Sequence, residues 1–171
     1  MTAAVETGPW QLDPARSTVA FAHRTMWGLV TVKGTFGAVA GEGEVLPDGT
    51  ARGSVTLEAA SLDTGNAKRD QHLRGADFFD AERHPTLVLA VDEAVVGQDG
   101  TAAVTGRLTV RGESSPQSVT ASIAGAGTDE VVLTAEFTVD RARFGMGWNQ
   151  LGMIRGLATV TSTLAFVRTP A

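Results

Sequence analysis

Polar and apolar side chains alternate along most of this chain, with the two-residue period of strands that bury one face and wet the other. Between Ser17 and Arg24 the apolar face is Val19, Phe21 and His23; between Leu29 and Phe36 it is Val30, Val32, Gly34 and Phe36, opposite Thr31, Lys33 and Thr35. Val55, Leu57 and Ala59 stand against Ser54, Thr56 and Glu58 in the same way, and Val104, Gly106, Leu108 and Val110 against Thr105, Arg107, Thr109 and Arg111. Further on, Val119, Ala121 and Ile123 form one face, Leu133, Ala135, Phe137 and Val139 another, and Ala158, Val160, Ser162, Leu164 and Phe166 the last. Pro47-Asp48-Gly49 and Gln98-Asp99-Gly100 lie between such runs and supply turn chemistry, so consecutive strands pair as hairpins. About eight or nine antiparallel strands joined by tight turns make an all-β unit, either a sandwich or an up-and-down barrel.

Many inward positions are small: Gly34, Ala59, Gly106, Ala121, Ala135, Ala158 and Ser162. A sandwich would fill them, whereas an eight-stranded barrel leaves them as room for one elongated ligand, which favours the barrel. One segment breaks the alternation. Asn66 to Arg74 suits a short helix, with Thr64 or Asn66 as its cap, Gly75 as its stop, and Asp70 and Arg74 as an i,i+4 pair. With a single Leu it is too short to be helical alone, so packing must pin it, and a plug across one barrel end is a natural position. Phe78-Phe79 follows and can insert a ring into the barrel.

Composition narrows the function. The 171 residues fit one domain, with residues 1–7 expected as a flexible tail, and 43% hydrophobic with 19% charged residues is globular. A net charge of -5 counts against polyanion binding, so no nucleic-acid partner is expected. Cysteine is absent, which removes disulfides, thiolate metal sites and thiol nucleophiles together. The opening residues lack a basic n-region and an apolar run, and no run approaches the roughly 18 to 20 residues of a membrane span; a cytoplasmic location is expected. His23, His72 and His84 have no ligand-spaced partners, so no metal or cofactor is expected. No G-x-S-x-G elbow or acid, base and nucleophile set stands out, which leaves a binder ahead of an enzyme acting on an apolar molecule.

Several motifs together resemble the YceI-like polyisoprenoid-binding proteins: Ser61-Leu62-Asp63-Thr64-Gly65-Asn66, then Arg69-Asp70-Gln71-His72-Leu73-Arg74, Asp77-Phe78-Phe79-Asp80 and His84-Pro85. Trp10-Gln11-Leu12-Asp13-Pro14 with Ser17, His23, Gly34-Thr35-Phe36 and Gly106-Arg107-Leu108-Thr109-Val110-Arg111-Gly112 extend the resemblance over nearly the whole chain. It implies a lipocalin-like eight-stranded antiparallel barrel whose apolar tunnel holds an isoprenoid chain, such as a polyprenyl phosphate or a quinone tail, without catalysis. The inward faces then place Phe21, His23, Val32, Phe36, Leu57, Leu108, Leu133, Phe137 and Leu164 along the tunnel, with Phe78, Phe79, Trp148 and Met153 nearer its ends. Lys68, Arg69 and His72 can share one side of the helix and contact a phosphate head group; the plainer alternative is that these residues tie the helix to the rim. His23 is equally readable as a neutral core histidine. The glycine-rich apolar stretch from Gly145 to Ile154 reads as an adaptable mouth or a buried contact. With Met26-Trp27 it suggests a homodimer.

Overall fold

A computed structural model of the chain describes residues 5–25, 30–76, 78–97, 99–140, 144 and 157–169. Its strands are β1 (Gly8–Leu12), β2 (Thr18–Thr25), β3 (Val30–Phe36), β4 (Val39–Val45), β5 (Ala51–Glu58), β6 (Leu62–Asp63), β7 (Thr86–Val96), β8 (Thr101–Val110), β9 (Glu113–Ala124), β10 (Glu130–Asp140) and β11 (Leu157–Arg168), with one helix, α1 (Ala67–Arg74). Every strand pairing is antiparallel, and β1 meets both β4 and β11, so the sheet closes on itself. Three staves of the barrel are made of two strands each. β1 and β2 are separated by a 3-10 turn at Pro14–Arg16, β3 and β4 by Gly37 and Ala38, and β5 and β6 by a 3-10 turn at Ala59–Ser61. Counted by staves, this is the closed eight-stranded up-and-down barrel that the alternation predicts.

The first interruption has a local cause. Pro14 cannot donate to a ladder, and the Asp13 carboxylate turns the chain by accepting from the Ala15 N–H at 3.1 Å. The turns are equally local. In the β4–β5 hairpin Asp48 Oδ1 accepts from the Thr50 N–H at 3.0 Å and hydroxyl at 2.7 Å, and in the β7–β8 hairpin Asp99 does the same with Thr101 at 3.1 and 2.6 Å. The hydroxyl bonds, then the amide bonds, hold both carboxyls below the ordinary aspartate range. β8 and β9 are joined by only Arg111 and Gly112, both at positive φ (55° and 72°), as a tight hairpin turn requires.

Two glycines read as cavity space serve another purpose. A Cβ on Gly106 would lie 2.0 Å from the Ala90 carbonyl oxygen, where β7 bulges between Val91 and Glu93. A Cβ on Gly34 would lie 2.6 Å from the Phe21 ring, so this glycine makes room for an aromatic side chain of the protein itself. Ala59 is likewise fully buried in the core.

Helix α1 spans eight residues, with Asn66 as its cap accepting from the Arg69 N–H at 3.1 Å. Its buried side chains are Leu73 and Asp70, not an apolar stripe. Leu73 joins Phe21, Phe36, Leu62 and Phe78 in the larger core cluster, beneath which Phe79 packs edge-on to Phe36 at 5.7 Å. Asp70 does not serve Arg74 as the spacing suggested. Its carboxylate accepts from the N–H and the hydroxyl of Thr64, while Arg74 donates to the carbonyls of Ala60 (3.1 Å) and Leu62 (2.8 Å). The helix is therefore latched to the segment that follows the β5–β6 break. Asp70→Ala leaves the Thr64 N–H without its acceptor and is expected to cost about 1–3 kcal/mol, read as a lower melting temperature. Asp70→Asn keeps an acceptor and should cost less; equal losses would remove the latch from the account.

Candidate functional site

The barrel interior holds two apolar chambers end to end. The first, about 160 Å³, lies under the helix; its wall includes Phe21, His23, Phe36, Leu57, Leu87, Leu108, Val110, Val139 and Val160, and Leu73, Phe78 and Phe79 close it. The second, about 180 Å³, runs to the far end between Trp10, Val45, Val91, Val104, Ala121, Ile123, Leu133, Ala135 and Phe166. Val55, Leu89, Phe137, Ser162 and Leu164 belong to both walls and form the waist between them. Neither chamber alone reaches the roughly 300–1,000 Å³ of ordinary small-molecule sites; joined through the waist they reach its lower bound. On β11 the lining runs from Ala158 to Phe166, roughly 20 Å along the axis of a tilted barrel.

The alternation on the page explains most of this wall. Of the positions read from the sequence, Phe21, His23, Phe36, Leu57, Phe78, Phe79, Leu108, Phe137 and Leu164 line the helix-side chamber, and Leu133 lines the far one. Val32 is buried but lines neither, so its place is in the packed wall. Trp148 and Met153, with Met26 and Trp27, lie outside the described residues. Small side chains do open the tunnel at Ala121, Ala135, Ala158 and Ser162, unlike Gly34, Gly106 and Ala59.

Sequence reasoning missed Leu73, Leu87, Leu89 and Trp10. Leu73 carried a signal, as the lone large apolar residue of a helix that had to be pinned. Leu87 and Leu89 sit on β7, whose inward side changes phase at the bulge: Leu87, Leu89 and Val91 face the lumen before it, Ala94 and Val96 after it. A window that expects unbroken period two does not find such a strand.

Polar chemistry gathers at the helix. Arg69 is not placed for a ligand: its Nε donates to the Thr64 hydroxyl at 2.8 Å and its Nη2 to the Thr64 carbonyl at 2.9 Å. Lys68 and His72 instead border a shallow open hollow with Gln71, Gly75 and Ala76. The His72 ring also packs edge-on against Phe78, 5.1 Å between centroids, which connects the hollow to the tunnel wall. His23 lies parallel to Phe21, with 6.5 Å between ring centroids. The walls are mostly hydrocarbon and can hold hydrocarbon by burial, with His23 and Ser162 as the polar side chains of the helix-side chamber. Among the described residues no helix is long and apolar enough to cross a membrane.

Comparison with known proteins agrees with this architecture. BcnA of Burkholderia cenocepacia superposes with a TM-score of 0.81 at 21% identity, over 90% of this chain and 98% of that one. A polyisoprenoid binding domain from Saccharophagus degradans, implicated in plant cell wall breakdown, gives 0.75 at 13% identity, over 96% and 100%. In sequence, a UPF0312 protein of Vibrio cholerae is 37% identical over 100 residues, 57% of this chain and 53% of the relative. The matches span about half the length of these curated relatives or less. The model of the YceI-like domain matches residues 10–166, from the indole that closes the far chamber to the last inward ring of β11, and the chain belongs to that family.

Proposed function

We propose that this protein binds a long, flexible lipid of the isoprenoid class in its two-chamber tunnel and stores or carries it without chemical change. The observation that carries the reading is the pair of apolar chambers in the lumen: hydrocarbon side chains make up most of both walls, and five residues belong to both. If about 500 Å² of ligand surface is buried at roughly 25 cal/mol per Å², the gross gain is about 12 kcal/mol. Ordering the chain offsets much of this, and micromolar or tighter binding remains. Similarity in fold to the polyisoprenoid binding domain of Saccharophagus degradans supports the choice of lipid class. Native mass spectrometry of the purified protein should show a bound species of defined lipid mass. Ala135→Phe puts a ring into the far chamber and is expected to abolish retention of a long-chain lipid at nearly unchanged melting temperature, because it competes with ligand and not with core. A variant that loses stability yet keeps its lipid would move the site out of that chamber.

For a phosphorylated lipid the head group is assigned to Lys68 and His72, the two cationic or titratable side chains around the hollow outside the plug. Arg69 is removed from that set because Thr64 occupies its guanidinium. Lys68→Ala should weaken a polyprenyl phosphate more than the matching polyprenol, with the difference shrinking in high salt. Arg69→Ala should lower the melting temperature and affect both ligands alike. The reverse pattern would return the head group to Arg69.

We further propose that two copies pair through the segments that carry Met26, Trp27, Trp148 and Met153. Among the described residues the exposed large hydrophobics are only Val95 and Val167, too little for a stable apolar interface. Sedimentation at micromolar concentration should give twice the 17.8 kDa chain mass. A single species at the chain mass overturns the pairing.

A further inference from the structure

Three polar side chains are buried among the described residues: Ser17, Asp70 and Ser162. Two of them have evident work. Ser17 donates to the Asp13 carbonyl at 2.7 Å and accepts from the Ala165 N–H at 3.0 Å, and Asp70 accepts from Thr64. Ser162 is 9% exposed, and its hydroxyl has no hydrogen-bond partner among the described residues. It faces the lumen, since it borders both chambers at the waist.

Its surroundings make that hydroxyl unusual. Opposite it in register are Ala135 on β10 and Val19 on β2, neither with a polar side-chain atom, and Val160 and Leu164 flank it on its own strand. Small size alone would be met by alanine, which the same wall uses at Ala135 and Ala158. A hydroxyl in an apolar wall carries a desolvation penalty unless something bonds to it. Ser162 also sits at the middle of the lined stretch of β11, four residues from Ala158 and four from Phe166, with roughly 10 Å of apolar barrel on either side.

We propose that Ser162 recognises a hydrogen-bonding oxygen, a carbonyl or hydroxyl, placed midway along an otherwise apolar ligand whose two arms fill the two chambers. The inference rests on the reading of the tunnel as a lipid site and goes beyond its isoprenoid chain, which carries no oxygen at the waist. A plain hydrocarbon chain leaves the hydroxyl unserved, whereas a ketone, ester or alcohol with an apolar segment on each side serves it and gains specificity at one point of the wall.

A matched pair of probes tests this: 9-heptadecanone, a ketone with two equal octyl arms, and heptadecane, the alkane of the same length. Each is titrated against the protein preloaded with the fluorescent reporter N-phenyl-naphthylamine. On the wild type the ketone should bind about 3- to 10-fold more tightly than the alkane, the range of one neutral hydrogen bond. Ser162→Ala should bring the two within about twofold by weakening the ketone alone, with the melting temperature of the free protein unchanged or higher. Thr161→Ala, an exposed neighbour, should leave the preference as it is. A preference that survives Ser162→Ala, or a wild type that binds both probes equally, overturns the role of Ser162 while the tunnel reading stands. A fall of several degrees in the melting temperature of Ser162→Ala, or its failure to fold, shows a structural role for the hydroxyl and likewise overturns the proposal. If neither probe displaces the reporter from the wild type, the tunnel reading itself fails.

Discussion

The barrel depends on a seam between its first and last strands that has to survive an interruption. β11 pairs with β1 at residues 166–168 and with β2 at residues 158–163, and between them the 3-10 turn at Pro14–Arg16 swings the chain away. At that gap the ladder is completed by a side chain. The Asp13 N–H donates to the Ala165 carbonyl at 2.8 Å, the Ala165 N–H donates to the Ser17 hydroxyl at 3.0 Å, and that hydroxyl donates to the Asp13 carbonyl at 2.7 Å. Ala165 is 1% exposed, so its N–H has no recourse to water and the serine supplies what the proline-containing turn removed. With the seam closed, no open edge remains along this wall. The ladder, and not side-chain packing across the middle, then holds the walls around the two chambers.

Packing is concentrated at the ends. Trp10, Val45 and Val131 form the buried cluster of the far end, and the larger cluster around Phe21, Phe36, Leu62 and Leu73 occupies the helix end. The helix-end plug follows from the broken stave of β5 and β6. A 3-10 turn leaves carbonyls without ladder partners, and Arg74 takes those of Ala60 and Leu62 while Arg69 takes that of Thr64. Most of the positive charge that makes the helix look like an anion site is thus used to close the barrel. Lys68 and His72 lie instead around the hollow at the outer edge of the plug.

Legibility in the sequence followed the range of the interactions involved. Strand faces are a local property, and the inward sets on β2, β8, β10 and β11 were readable because nothing within those strands shifts their phase. β7 was not, since it bulges between Val91 and Glu93 beside Gly106 on β8, and a strand whose phase shifts midway shows no unbroken alternation. Gly34 and Gly106 looked like room for a ligand because a missing side chain reads the same whether it admits a lipid, a Phe21 ring or a neighbouring carbonyl. The bonds of Arg69 to Thr64 were hidden for a related reason: spacing on a helix gives the direction of a side chain but not the acceptor that another segment brings to it.

An apolar tunnel is a permissive container. Each methylene added to or removed from a chain in such a wall is worth only about 1–3 kcal/mol of discrimination, whereas a buried polar group that must be bonded can reject a ligand lacking the partner much more strongly. Selectivity in this barrel therefore has few places to reside. The waist of Val55, Leu89, Phe137 and Leu164 lies between the two chambers, and the apolar lining is interrupted by the imidazole of His23 and the hydroxyl of Ser162. Two proteins with the same barrel can accordingly hold different lipids after very few substitutions, so agreement in fold with neighbours at 13–21% identity speaks for the barrel alone.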